Sequence, residues 1–329
     1  MTHLTPPIRQ SQDNVYARLA SLNNEAAMLP TPTRDPDAVK GVMYGLTAYT
    51  MWGCFPLFFA LFDGIPAFEI LIHRIIWACL FLVGLITLLR RWPPVVTALG
   101  EPKRLGRVLA CALLIAFNWG IYIYAVESKQ VLQASLGYFL TPLVNVALGM
   151  LVLREVMAKL QLVALGLASV AIATQFVMLG ELPWLSLLLA LSFGSYGLFR
   201  KQVPLDGLSG LFVETLLLFP LALIALTWLS WNGSSHFLQD TSSTGLLIAS
   251  GALTALPLMA FAGAARRLRL ATLGFLMYIN PSIQFLIALT VFGEPLGLIQ
   301  LATFVLIWIG LALYSWSAWQ SRPRYATAG

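Results

Sequence analysis

Four ionisable side chains lie inside long apolar runs of this sequence: Glu69, His73 and Arg74 in one run and Glu214 in another. A charge at the centre of a membrane-spanning helix costs roughly 2.5 to 3.5 kcal/mol on insertion scales, so such groups face a partner or a wet cavity. On a helix Glu69 and His73, four residues apart, share a face, whereas Arg74 points about 140° away from Glu69. Groups of this kind exchange protons or attract a charged solute. The plainer alternatives are that Glu69 reaches an aqueous interface and that Arg74 ties two helices together. Arg74 and Glu214 are expected to belong to one electrostatic system, joined directly or through water or solute.

Uncharged residues with the same potential follow helical spacing. Ser135, Tyr138, Pro142, Asn145 and Gly149 step by 3, 4, 3 and 4, which puts them on one face. A second run carries the matching set Gly274, Tyr278, Pro281, Gln284 and Ala288. A mid-helix proline frees a carbonyl, which is tolerated where the helix lines a cavity or meets another helix. The two faces are expected to line a central path, with helix packing through small and polar residues as the alternative. Asn118, Trp119 and Tyr122 add an amide and two rings suited to a partly aromatic or zwitterionic solute. Tyr49 and Trp52 are weaker candidates of the same kind, and Trp316 and Trp319 read as interface anchors.

Catalysis fits less well. His3, His73 and His236 cannot cluster on one helix, and neither H-E-x-x-H nor G-x-x-x-x-G-K-[ST] occurs. Cys54, Cys79 and Cys111 form no C-x-x-C pair. No metal, cofactor or disulfide is expected, and no ATP hydrolysis within the chain.

The elements that hold these residues must be membrane helices. Hydrophobic residues make up 59% of the chain and charged ones 10%, against roughly 25% charged in a soluble domain. The net charge of +6 is carried in short runs between apolar stretches, not on one face as a nucleic-acid binder requires. Ten runs are long enough, or nearly so, to cross a bilayer as helices of around 20 residues. They are 41–62, 67–89, 108–126, 131–153, 160–180, 183–199, 208–230, 245–265, 270–293 and 296–318. Residues 1–39 are polar and proline-bearing and read as a disordered tail with no cleavable signal peptide. With the N-terminus inside, 18 of the 20 Lys and Arg fall on the cytoplasmic side, Lys129 falls outside, and Arg74 lies within a span.

The chain also repeats. Ala134-Ser-Leu-Gly-Tyr138 matches Ala271-Thr-Leu-Gly-Phe275, and Pro142, Glu155 and Gln161 recur 139 residues later as Pro281, Glu294 and Gln300. Halves of five spans each, 40–180 and 181–319, must enter the membrane in opposite senses, a construction common in secondary transporters. A cytoplasmic tail, 320–329, completes the chain.

Gly45-Leu-Thr-Ala-Tyr-Thr-Met-Trp-Gly53, Glu69-Ile-Leu-Ile-His-Arg74, Asn118-Trp119, Ala134-Ser-Leu-Gly-Tyr-Phe139 and Arg269-Leu-Ala-Thr-Leu-Gly-Phe275 resemble segments of the bacterial RarD family of chloramphenicol-sensitive proteins, within the EamA-type drug/metabolite transporter superfamily. Glu155 and Gln161, with Glu294 and Gln300, resemble the end of each EamA repeat, and the resemblance covers about residues 40–318. It implies an all-α inner-membrane carrier of ten helices in two inverted repeats, working by alternating access, and supplies no substrate. Arg154 departs from the pattern, since the second half has Gly293 before its acid; the expected effect is on a helix-end cap.

The function expected is transport of a small metabolite or drug-like solute, amino-acid-like or aromatic, across the bilayer. Proton coupling through His73, Glu69 and Glu214 is compatible with it, as is a passive facilitator. The rival classes are an intramembrane enzyme and a scaffold without transport. A reporter that fluoresces only in the cytoplasm is expected to light at either terminus; darkness at the C-terminus alone would mean an odd number of spans and remove the inverted repeat.

Overall fold

The computed structural model describes residues 36–152, 154, 159–265, 267–268 and 276–320. The chain divides at 40/41; of the first part the described residues are 36–40, the start of α1, and the contacts below lie in the second. Among the described residues every regular element is a helix. They are α1 (Pro36–Gly53), α2 (Phe55–Phe59), α3 (Ala67–Leu88), α4 (Trp92–Leu99), α5 (Pro102–Glu127), α6 (Val131–Val152), α7 (Lys159–Leu179), α8 (Trp184–Lys201), α9 (Gly207–Trp231), α10 (Thr241–Ala265), α11 (Ile279–Thr290) and α12 (Leu298–Gln320).

Helix occurs on each of the ten apolar runs, and among the described residues seven helices are long and apolar enough to cross a membrane: α3, α5, α6, α7, α9, α10 and α12. α1 and α8 have 18 residues each and α11 has 12. The hydropathy-based limits err mostly at polar ends. α5 begins at Pro102, six residues before its apolar run, so Lys103, Arg104 and Arg107 lie on its first turns. α8 likewise continues through Arg200. Charged residues lower the hydropathy of these turns while their backbone hydrogen bonds continue. α2 and α4 are short additions, each opened by proline at its first turn, where the missing N–H costs nothing.

Lipid tails are as apolar as leucine, so helices in a membrane associate through close packing and polar ties. α6 packs on α8 and α11, α3 on α9 and α10, α5 on α8, and α7 on α12. Leu136, Leu140 and Leu143 of α6 and Leu185 and Leu189 of α8 are buried in one core cluster. Polar ties cross the same seams. Ser186 Oγ donates to the Gln133 carbonyl at 2.6 Å, and Ser135 Oγ donates to the Pro281 carbonyl at 2.9 Å.

Helix starts are satisfied from distant parts of the chain. Glu294 accepts from the Val131 and Leu132 N–H groups at 2.6 and 2.8 Å, capping α6. Glu127 accepts from Ala67 N at 3.0 Å and caps α3. Both carboxylates meet the positive end of a helix dipole. Gln300 accepts from Gly297 N at 3.0 Å, at the start of α12. On the loop before α10, Asp240 takes the Ser243 N–H, and hydrogen bonds from that residue hold its carboxyl below the usual carboxylate range. Glu155, Gly274 and the side chain of Trp319 lie outside the described residues; Trp316 is exposed.

The two positions preceding the repeated acid share a rare backbone. Arg154 has φ 54° and Gly293 φ 62°, both in the left-handed region, which costs a side-chain-bearing residue roughly 1–2 kcal/mol. Gly293→Ala is therefore expected to lower the melting temperature of the detergent-solubilised protein, by about 1 kcal/mol of stability, while Arg154→Gly leaves it unchanged or raises it. A loss on Arg154→Gly equal to that on Gly293→Ala would show that the arginine side chain, not the turn, matters there.

Candidate functional site

The buried charges occupy three places along the helices. At the start of α3, Glu69 is 1% exposed. It accepts from Ser235 Oγ at 3.0 Å and the His236 N–H at 2.6 Å, with His236 Nδ1 at 2.7 Å. The last contact becomes an ion pair when the ring is protonated. Glu69 thus fastens the loop between α9 and α10 and does not reach out to water. His73, one turn on, accepts from Trp77 Nε1 through Nδ1 at 3.2 Å and lies against the Phe237 ring at 4.7 Å. An indole can only donate, so His73 Nδ1 is unprotonated and the ring is neutral. Glu69 and His73 share the face expected, and both serve the 235–237 loop.

The second place is Arg74, 4% exposed. Nε donates to Thr254 Oγ1 on α10 at 2.9 Å. The guanidinium carbon lies 4.3 Å from the Trp119 ring centre, 5.4 Å from Phe59 and 5.5 Å from Phe55. Among the described residues Nη1 has no hydrogen-bond partner. Desolvating an ion costs several kcal/mol even after relaxation. A neutral hydrogen bond returns roughly 1 kcal/mol and a desolvated cation–π contact about 2. These three rings and one hydroxyl offset much of the cost and supply no negative charge.

The third place is Glu214 on α9, 1% exposed. Arg200 Nε lies 3.5 Å from Oε1, and Tyr196 Oη donates to Oε2 at 3.2 Å. Arg200 Nη2 also donates to the Leu205 and Asp206 carbonyls at 3.0 and 2.8 Å. The loop between α8 and α9 is so held around one guanidinium. Gly210 makes room for it, since a Cβ there would collide with Arg200 Nη2. A direct Arg74–Glu214 pair is not among the ion pairs of the described residues; Glu214 meets Arg200 instead.

Aromatic rings connect the second place to the third. Phe59 meets Tyr122 at 6.0 Å, Tyr122 meets Tyr138 at 5.8 Å, Tyr138 meets Phe193 at 6.1 Å and Phe193 meets Tyr196 at 6.0 Å. Four elements contribute to this string: α2, α5, α6 and α8. Beside it Asn118 donates through Nδ2 to Ser192 Oγ at 2.9 Å and to the Leu189 carbonyl at 3.1 Å, and accepts a long 3.5 Å contact from Tyr138 Oη. Asn118, Trp119, Tyr122 and Tyr138 therefore gather with Arg74, although they were singled out separately. Tyr49 and Trp52 form a second ring group with Phe261, centres 5.5 to 6.1 Å apart.

The paired proline stripes behave differently along their length. Ser135 bonds to Pro281, and Pro142 and Gln284 are buried, so this stretch is a helix seam. Gln284 donates to Asn280 Oδ1 at 2.7 Å, and its Oε1 has no partner among the described residues. Asn145 is exposed, near Gly194 of α8. Tyr278 lines an open groove with Phe139, Ser282 and Trp308, a lining that does not include Arg74, Trp119, Tyr122 or Tyr138. Arg200, Tyr196, Thr254, Ser235, His236 and the Phe55–Phe59 rings were not singled out from sequence. Arg200 reads there as a loop cation, and a phenylalanine-rich stretch reads as ordinary apolar content.

Comparison with known proteins bears on what this arrangement belongs to. The EamA-like transporter family matches residues 39–176. An uncharacterised transporter of Vibrio cholerae is 43% identical over 289 residues, 88% of this chain and 95% of its own. The protein RarD of Escherichia coli is 41% identical over 286 residues, 87% and 97% of the two chains. A solved crystal structure with 16% identity superposes with a TM-score of 0.54 over 83% of this chain and 96% of that one, a likeness of fold. Full-length identity to RarD at this level, together with the EamA match, makes the chain a member of the RarD family of EamA-like transporters.

Proposed function

We propose that the chain is a ten-span secondary transporter of the bacterial inner membrane, with both termini cytoplasmic, that moves a small organic solute by alternating access between inverted repeats 40–180 and 181–319. The observation that carries this reading is the Arg74 group: a buried cation, an amide and several rings from α2, α3, α5 and α6 converge where nothing in the packing of an inert bundle requires them.

Helix pairing supports the repeat. An in-plane two-fold axis makes the helices nearest it pack on their own counterparts, and α3 packs on α9, α6 on α11 and α7 on α12. Arg74 lies seven residues into α3 and Glu214 seven residues into α9, matching depths in opposite senses. The shared left-handed turn at Arg154 and Gly293 is a further sign. Alternating access needs closures at both ends that can break, and two candidates exist. Glu69 with Ser235 and His236 closes one end, and Glu214 with Arg200 and Tyr196 closes the other.

The test begins with a thermal-shift screen of the purified protein against amino acids, aromatic metabolites and amphiphilic drugs. A stabilising solute is then followed into vesicles that contain this protein alone. Saturable flux of the unchanged solute is expected. Binding without flux would indicate a scaffold, and chemical conversion of the solute would indicate an enzyme.

A further inference from the structure

Resting on the transport reading, and narrowing its substrate, we propose that Arg74 binds the carboxylate of a monoanionic solute whose planar apolar body lies among the rings beside it. The guanidinium is buried in the protein interior, and among the described residues its partners there are all neutral, Thr254 Oγ1 and the rings of Trp119, Phe59 and Phe55. The buried acids Glu69 and Glu214 are engaged elsewhere, Glu69 by Ser235 and His236 and Glu214 by Arg200 and Tyr196. Among the described residues, two buried polar atoms of this group lack partners, Arg74 Nη1 and the Tyr122 hydroxyl. Tyr122 and Tyr138 are close enough to interact electrostatically with the guanidinium. A carboxylate oxygen accepts from a guanidinium N–H and from a phenol O–H alike.

Charge number narrows the class. Arg74 offers one positive charge, and the partly buried Arg200 is already shared between Glu214 and three loop carbonyls. A dianion such as a phosphate monoester would carry an unneutralised charge into a low-dielectric core, whereas a carboxylate leaves none. An ammonium group would face the guanidinium as a like charge. The body of the solute meets Trp119, Phe59, Tyr122 and Tyr138, and planar rings pack there in edge or offset contact. Oriented this way, the carboxylate supplies specificity and the ring supplies buried area.

The probes are benzoate, benzamide, benzylamine, phenylphosphonate and acetate, titrated calorimetrically into the full-length protein in detergent at neutral pH. Benzoate is expected to bind at least tenfold more tightly than each of the others. Arg74→Lys should keep a weakened preference for benzoate, and Arg74→Gln should reduce benzoate to the level of benzamide. Benzamide or benzylamine binding as well as benzoate, or no preference for any carboxylate, would overturn the proposal from the wild-type protein alone, whether or not the variants fold. Benzoate selectivity surviving Arg74→Gln would also overturn it. Selective binding without flux in protein-only vesicles would sink the transport reading and spare this one. Flux of neutral or cationic solutes with no carboxylate preference would do the reverse.

Discussion

Charge in a low-dielectric interior must be answered by nearby groups, because no water is at hand to do it. Glu69, Arg74 and Glu214, each 4% exposed or less, are answered in three different ways. Glu69 is surrounded by donors from one loop, Glu214 by a cation and a phenol from α8, and Arg74 by rings and a single hydroxyl. Loop conformation at both ends of the bundle follows from the first two. The third leaves a cation with no anionic partner among the described residues, set against the rings of Trp119, Phe59 and Phe55.

Backbone ends obey the same constraint. Glu294 reaches from the α11–α12 connection to the start of α6, and Glu127 reaches from the end of α5 to the start of α3. Each puts a carboxylate on N–H groups that the helix itself cannot satisfy. Helices far apart in sequence are so pinned end to end, while seams such as Ser135 to Pro281 pin them at mid-height. The proposed alternating access calls for rigid bodies and breakable contacts, the parts that the fixed helix ends and the Glu69 and Glu214 contacts are proposed to play.

Much of the architecture could be read from the residues in order. Hydropathy located helices, and the 139-residue spacing singled out Arg154 against Gly293, where the backbone does take the same left-handed turn. The ionisable residues named from their apolar setting are all buried. What could not be read was who answers whom. Arg74 meets Thr254 across 180 residues, and no local spacing encodes that. Arg200 looked like a loop cation because it follows an apolar run that ends at 199, yet α8 continues through Lys201 and brings Arg200 onto Glu214. His236 enters the sequence reading only as a histidine that cannot join a catalytic or metal-binding cluster, although its backbone and ring both serve Glu69.

Glu214 answered by Arg200, and Arg74 left to the proposed carboxylate, form two separate charge systems. Double-mutant cycles on thermal stability in detergent measure this directly, with Arg200→Gln and Glu214→Gln in one cycle and Arg74→Gln and Glu214→Gln in the other. The first cycle should show coupling on the order of 1 kcal/mol or more, and the second should be additive within about 0.5 kcal/mol. Strong coupling between Arg74 and Glu214, with none between Arg200 and Glu214, would contradict it.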